Sequence, residues 1–159
     1  MSAMTLLLLS LAVLAVGALA GLLLRGSERT AIAATGLAGI LAGATGLVAG
    51  VSALVVPAAT VDFGGPFPFA RLILRLDPLS GLMVAVICGL TLVASIYSLA
   101  YVREYSGRGV GAMGFFMLTF VAAMLFVVTC DDAFWFLVFF EMMSLASYFL
   151  VIFDQNEEA

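Results

Sequence analysis

Long apolar runs broken by a few charged clusters divide the 159-residue chain into five segments. A transmembrane helix needs roughly 20 mostly apolar residues. Stretches of that length run from about Thr5 to Leu24, Thr30 to Val56, Leu79 to Val102, Gly111 to Cys130 and Ala133 to Phe153. The breaks hold the polar residues: Arg25 to Arg29 after the first run, Arg103-Glu104-Tyr105 through Arg108 after the third, Asp131-Asp132 after the fourth. Residues 57–78, with Asp62, Gly64-Gly65, Pro66, Pro68, Arg71, Arg75 and Asp77, read as an outer extramembrane loop. The pattern therefore predicts an all-α, polytopic membrane helix bundle of about five transmembrane helices. Residues 1–56 form helices one and two, 57–78 the loop, 79–153 helices three to five, and 154–159 a polar tail.

Ala18-Leu19-Ala20 offers a small-residue cleavage pattern after an apolar run, but no positive charge precedes Arg25 and the run exceeds a usual signal core, so a retained helix is expected. The short connections after spans one and three carry Arg25, Arg29, Arg103 and Arg108, against Arg71 and Arg75 on the other face. The positive-inside rule then places the N-terminus outside and the C-terminus in the cytoplasm.

Composition removes several function classes. The chain is 65% hydrophobic and 10% charged, with mean hydropathy +1.26, whereas a soluble domain is about a quarter charged. It has no histidine, and Cys88 and Cys130 are far apart, so neither a zinc cluster nor a disulfide framework is indicated, and both thiols read as small residues in helices. With a net charge of −4 and six scattered arginines there is no basic stripe for nucleic acid. Without a nucleotide fingerprint, a metal-ligand set or a nucleophile–base pair, the chain is not expected to be catalytic alone.

Gly39, Gly43, Gly46 and Gly50 recur at helical spacing along one face of span two. Small-xxx-small faces let helix backbones approach closely, and packing is the reading favoured here over a ligand gap or hinge.

Glu141 is the one charge inside a span. It lies about eight residues into span five, roughly 12 Å along the axis and near the bilayer middle. Facing lipid there costs about 2.5 kcal/mol or more, so the carboxyl is expected to face protein, water or a cation, or to be protonated. Ser144 and Tyr148, at i+3 and i+7, share its face with Phe134, Leu137, Val138 and Leu145, which suggests an inward polar track. Two readings follow: a structural interhelical hydrogen bond from a neutral carboxyl, or an ion or proton path. No arginine lies in a span and no lysine is present, so a counter-cation for Glu141 is expected from outside this sequence. Asp131 and Asp132 read as a solvated turn, and Asp77 before Pro78 as a helix cap. Arg103 and Glu104 read as a screened interfacial pair, flanked by Tyr101 and Tyr105 as belt anchors.

Four runs carry a family resemblance: Leu76-Asp77-Pro78-Leu79-Ser80-Gly81-Leu82-Met83, Tyr97 to Tyr105, Gly111-Ala112-Met113-Gly114-Phe115-Phe116-Met117, and Asp131 through Trp135 and Glu141 to Leu150. They resemble the antiporter-like membrane subunits. That family includes proton-conducting subunits of NADH–quinone oxidoreductase, multisubunit cation/proton antiporters and the membrane arm of group 4 nickel–iron hydrogenases. The Phe140-Glu141-Met142-Met143-Ser144 run, together with Ala112-Met113-Gly114-Phe115-Phe116-Met117 and Ala133-Phe134-Trp135-Phe136, resembles the hydrogenase-4 component B and formate hydrogenlyase subunit 3 type of the family. The resemblance covers residues 76 to 153, and the first 75 agree only in span pattern and in the Pro/Phe-rich loop.

The resemblance implies that Glu141 is the channel glutamate of the fifth helix and that Asp131, rather than Asp132, is the recurring aspartate ahead of it. With Ser144 and Tyr148 these form the expected proton pathway. It also implies that this chain holds no cofactor, that iron–sulfur clusters and a nickel–iron site or flavin reside in partner subunits, and that the partners are other membrane subunits and a peripheral redox arm. The expected location is a bacterial or archaeal cytoplasmic membrane. Family members have many more helices, in two inverted repeats, with a lysine in the seventh; the sequence is expected to be the N-terminal part of that pattern, truncated relative to the family.

Three functions compete. The first is an N-terminal piece of a proton- or sodium-translocating subunit in a redox-driven complex. The second is a structural membrane-assembly subunit without ion conduction. The third is an autonomous five-helix transporter, disfavoured because no second intramembrane charge accompanies Glu141.

Overall fold

Seven elements follow one another in the computed structural model, which describes residues 2–24, 26–65, 70–101 and 110–155. Helix α1 (Ala3–Leu23) starts where the Ser2 hydroxyl accepts the Thr5 N–H at 3.1 Å. Helix α2 (Glu28–Ala53) is followed by strands β1 (Ala59–Asp62) and β2 (Ile73–Leu76), then helices α3 (Pro78–Tyr101), α4 (Val110–Thr129) and α5 (Ala133–Gln155). All five helices are long and apolar enough to cross a membrane, and the chain is a multi-pass membrane protein with an all-α bundle. The helix ends lie within about three residues of the breaks in the apolar pattern, because the charges and prolines that interrupt the pattern also end the helices. Arg25, Arg103, Glu104, Tyr105 and Arg108, the side chain of Tyr101, and residues 156–159 of the expected tail lie outside the described residues.

An aspartate sets the start of α3. The Asp77 carboxylate accepts the Ser80 N–H at 2.7 Å, with Pro78 as the first helical residue of α3. That backbone bond, followed by the Ser80 hydroxyl, holds the Asp77 carboxyl below its ordinary value of 3.8. A lowered folded-state pKa means the cap stabilises the fold above the unfolded value and loses that contribution as pH falls through the folded one. The thermal midpoints of the native chain and of Asp77→Ala should therefore differ near neutrality and converge below about pH 4.

Helix α2 lies between α1 and α3, and its glycines decide how closely. A Cβ at Gly43 would stand 2.9 Å from the Leu92 nitrogen and 3.0 Å from the Cys88 carbonyl oxygen; one at Gly50 would stand 2.5 Å from the Ala85 nitrogen and 2.6 Å from the Gly81 oxygen. The backbones of α2 and α3 are thus in direct contact, and the packing reading of the glycine face holds. On the other side of α2, the Ser10 hydroxyl of α1 donates to the Ala42 carbonyl at 2.8 Å, fully buried. Leu7, Leu14, Val84, Leu118 and Leu125 fill the space among α1 to α4. Helix α5 is the least covered span; it lies along α4 through stacked pairs Phe126–Phe139 and Phe116–Phe149, with ring centroids 4.3 and 4.8 Å apart.

Residues 57–78, expected as an extramembrane loop, contain a β-hairpin whose second strand enters the end of the bundle. Strand β1 pairs antiparallel with β2, Ala59 opposite Leu76 and Asp62 opposite Ile73. The turn is set by Asp62, whose carboxylate accepts the Gly64 N–H at 2.7 Å and pairs with Arg71 at 2.5 Å, while Gly64 takes φ +72°. Alternation in Ile73-Leu74-Arg75-Leu76 sends Leu74 and Leu76 inward, 1% and 2% exposed, and Arg75 outward. Leu74 also bridges to Cys130, just past α4. Antiparallel partners sit at disulfide-compatible separation. A Leu74→Cys variant should therefore cross-link to Cys130 under mild oxidation, read as loss of two free thiols by mass spectrometry.

Candidate functional site

The head of α5 is tied down before the helix begins. The Cys130–Leu74 bridge is extended by the Asp131 N–H, which donates to the Ile73 carbonyl at 2.9 Å. The Asp132 carboxylate then accepts the N–H groups of Phe134 at 3.0 Å and Trp135 at 3.1 Å, closing the first turn. The two aspartates, expected as one solvated turn, have separate tasks. Asp132 caps the helix, whereas Asp131 faces Arg75 across the hairpin at 3.8 Å, both half exposed. At that exposure the ion pair is worth at most about 1 kcal/mol, so the backbone bonds are the main tie. The Cys130 Sγ lies 3.5 Å from the Asp132 carbonyl oxygen.

Eight residues after Ala133, about 12 Å down the axis, stands Glu141. The expected inward track is not inward with respect to these helices. Glu141, Ser144 and Tyr148 are all exposed, as are Phe134, Leu137, Val138 and Leu145 on the same face. The cause is α5's single extensive neighbour: α4 takes up the Phe139 and Ala146 side, leaving the glutamate side uncovered. Glu141 makes no hydrogen bond or ion pair among the described residues. The Ser144 hydroxyl donates to the Phe140 carbonyl at 3.1 Å, one turn back on its own helix, and Tyr148 packs edge-on against Phe149. Asp131 and Glu141 are not brought together; one sits at the helix head and the other two turns below it.

Sequence reasoning placed Arg75 in the loop but missed its pairing with Asp131, because loop length does not show that a second strand reaches the α4–α5 junction. The alternating Ile73 to Leu76 stretch was the available signal. It also missed the buried Trp135 Nε1, which finds no acceptor among the described residues while its ring stacks on Phe139 at 5.9 Å. No cluster of three or more potential metal ligands occurs among the described residues.

Two comparisons bear on this arrangement. Residues 70–109 match the family model described as NADH-ubiquinone oxidoreductase (complex I), chain 5 N-terminus. Hydrogenase-4 component B of Escherichia coli (strain K12) is 47% identical over 158 residues, covering 99% of this chain. The chain is similar to the antiporter-like membrane subunits over these matches. It spans 24% of the length of that curated relative. The family-model match takes in β2 and α3, so the hairpin strand that holds Asp131 lies within it, while the identity to hydrogenase-4 component B extends over virtually the whole chain. The chain presents the carboxylate of Glu141 on its least covered helix.

Proposed function

We propose that the chain contributes to proton or sodium translocation in the membrane arm of a redox-driven complex of the hydrogenase-4, formate hydrogenlyase or NADH–quinone oxidoreductase type, with Glu141 as the channel carboxylate. The observation that carries the reading is the position of Glu141: mid-helix in a membrane span, exposed on the uncovered face of α5, with no partner among the described residues. An exposed carboxylate at that depth is costly against lipid, about 2.5 kcal/mol or more, so the face is suited to protein or water rather than to acyl chains. Ser144 and Tyr148 add two hydroxyls along the same face, and Asp131 stands at its head beside the hairpin. Redox cofactors, iron–sulfur clusters with a nickel–iron site or flavin, belong in this reading to partner subunits. Bacterial or archaeal cytoplasmic membrane is the corresponding location. The 47% identity to hydrogenase-4 component B supports the assignment of complex type.

The test is redox-driven ion uptake into proteoliposomes holding the intact assembly, comparing native protein with Glu141→Gln. Unchanged uptake would favour the alternative, a structural membrane-assembly subunit.

A further inference from the structure

A second polar feature lies at the opposite end of the bundle from the hairpin and on another face of α4. A recess of about 50 Å³ opens between α2, α3 and α4, lined by Thr35, Ser95, Ser98, Met113, Gly114 and Met117 among others. Three hydroxyl-bearing residues line it from two helices that are each apolar enough to cross a membrane. The Thr35 hydroxyl donates to the Ala31 carbonyl at 2.9 Å and the Ser98 hydroxyl to the Ser95 carbonyl at 2.9 Å. Their hydrogens are engaged within their own helices, which leaves the oxygens as acceptors toward the recess. Ser95, 2% exposed, supplies the third hydroxyl.

Apolar cavities stay dry, whereas a cavity holds water when it offers about 10–15 Å³ per molecule and two to four polar partners. This recess meets both conditions. We infer that Thr35, Ser95 and Ser98 form a hydration site holding between one and about three water molecules. Water donates to the Thr35 and Ser98 oxygens and exchanges either kind of hydrogen bond with Ser95. Since Ser95 lies about six residues before the end of α3, the site brings water roughly 9 Å in from that end. The other end of the α1–α4 core is filled by Leu74 and Leu76 of the hairpin, so hydration is one-sided. The arginine distribution assigns the wet side to the cytoplasm. The site shares no residue with Glu141, Ser144, Tyr148 or Asp131 and stands or falls independently of the proposed ion path.

Radiolytic hydroxyl-radical labelling of the full chain in its native membrane assembly tests it, because radicals form from bound water in place and oxidise adjacent methionine. Met117 lines the recess; Met83 and Met124 do not, and each lies about five residues from the hairpin-side end of its helix, no deeper than Met117 is from the other end. Met117 should be oxidised at least about threefold faster than Met83 and Met124 in native protein, as expected for a side chain beside ordered water. Replacing the hydroxyls together (Thr35→Val, Ser95→Ala, Ser98→Ala) should bring Met117 down to the rate of the other two. Equal rates in the native protein overturn the hydration site whatever the variant does. A fast Met117 that persists in a variant with slow Met83 and Met124 overturns the assignment to these three hydroxyls.

Discussion

Glu141→Gln is expected to lower redox-driven ion uptake at least about a hundredfold in the intact assembly, the lower end of what a positioned proton-transfer group contributes. Glutamine keeps the size of the side chain and its ability to hydrogen-bond, so helix α5 and its contact with α4 through Phe126–Phe139 remain. What it removes is the exchangeable proton and the negative charge. A role limited to interhelical hydrogen bonding is served about equally well by the amide, which is why this substitution separates the two readings. Glu141→Asp, which keeps the carboxyl on a shorter stem, should retain a measurable fraction of uptake. Ion uptake is followed with a pH-sensitive dye for protons and with isotopic tracer for sodium. Subunit stoichiometry of the purified assembly serves as the control. Normal stoichiometry with lost uptake supports translocation, and normal uptake sinks it.

Gly50→Ala should destabilise the bundle by about 2–3 kcal/mol, in the upper part of the range for overpacking a close contact. Alanine is ordinarily worth about 1 kcal/mol more than glycine inside a helix, so a loss here reports the tertiary contact against the local preference. The added Cβ meets the backbone nitrogen of Ala85 and the carbonyl oxygen of Gly81, which cannot rotate away as a side chain tip would. The α2 and α3 axes must separate instead, and the adjacent contacts at Gly43 and Gly46 loosen with them. Gly89→Ala is the matched control, because its Cβ would meet only Leu47 Cδ1, at an ordinary 3.8 Å. That variant should be neutral or stabilised by up to about 1 kcal/mol. Both are read as shifts of the unfolding midpoint in mixed detergent micelles; equal midpoints for the two variants would contradict the close approach of α2 and α3.

The five spans, the glycine face of α2 and the isolation of Glu141 within α5 are all legible in the sequence, since each follows from local rules. A charge or proline ends an apolar run at the membrane boundary, glycines at helical spacing share one face, and depth is residue count times helical rise. The capping role of Asp77 is legible for the same reason, being decided by the next three residues. What only the tertiary structure decides involves partners distant in sequence. Asp131 and Asp132 look alike until the hairpin brings Ile73, Leu74 and Arg75 against one side of the α4–α5 junction, leaving Asp131 to the hairpin and Asp132 to cap α5. The direction in which Glu141 points is likewise absent from its own helix, because an all-round apolar span in lipid does not record which face meets a neighbour. That face is set by where α4 lies, through Phe126 against Phe139 and Phe116 against Phe149, and it turns the carboxylate away from the helices described here.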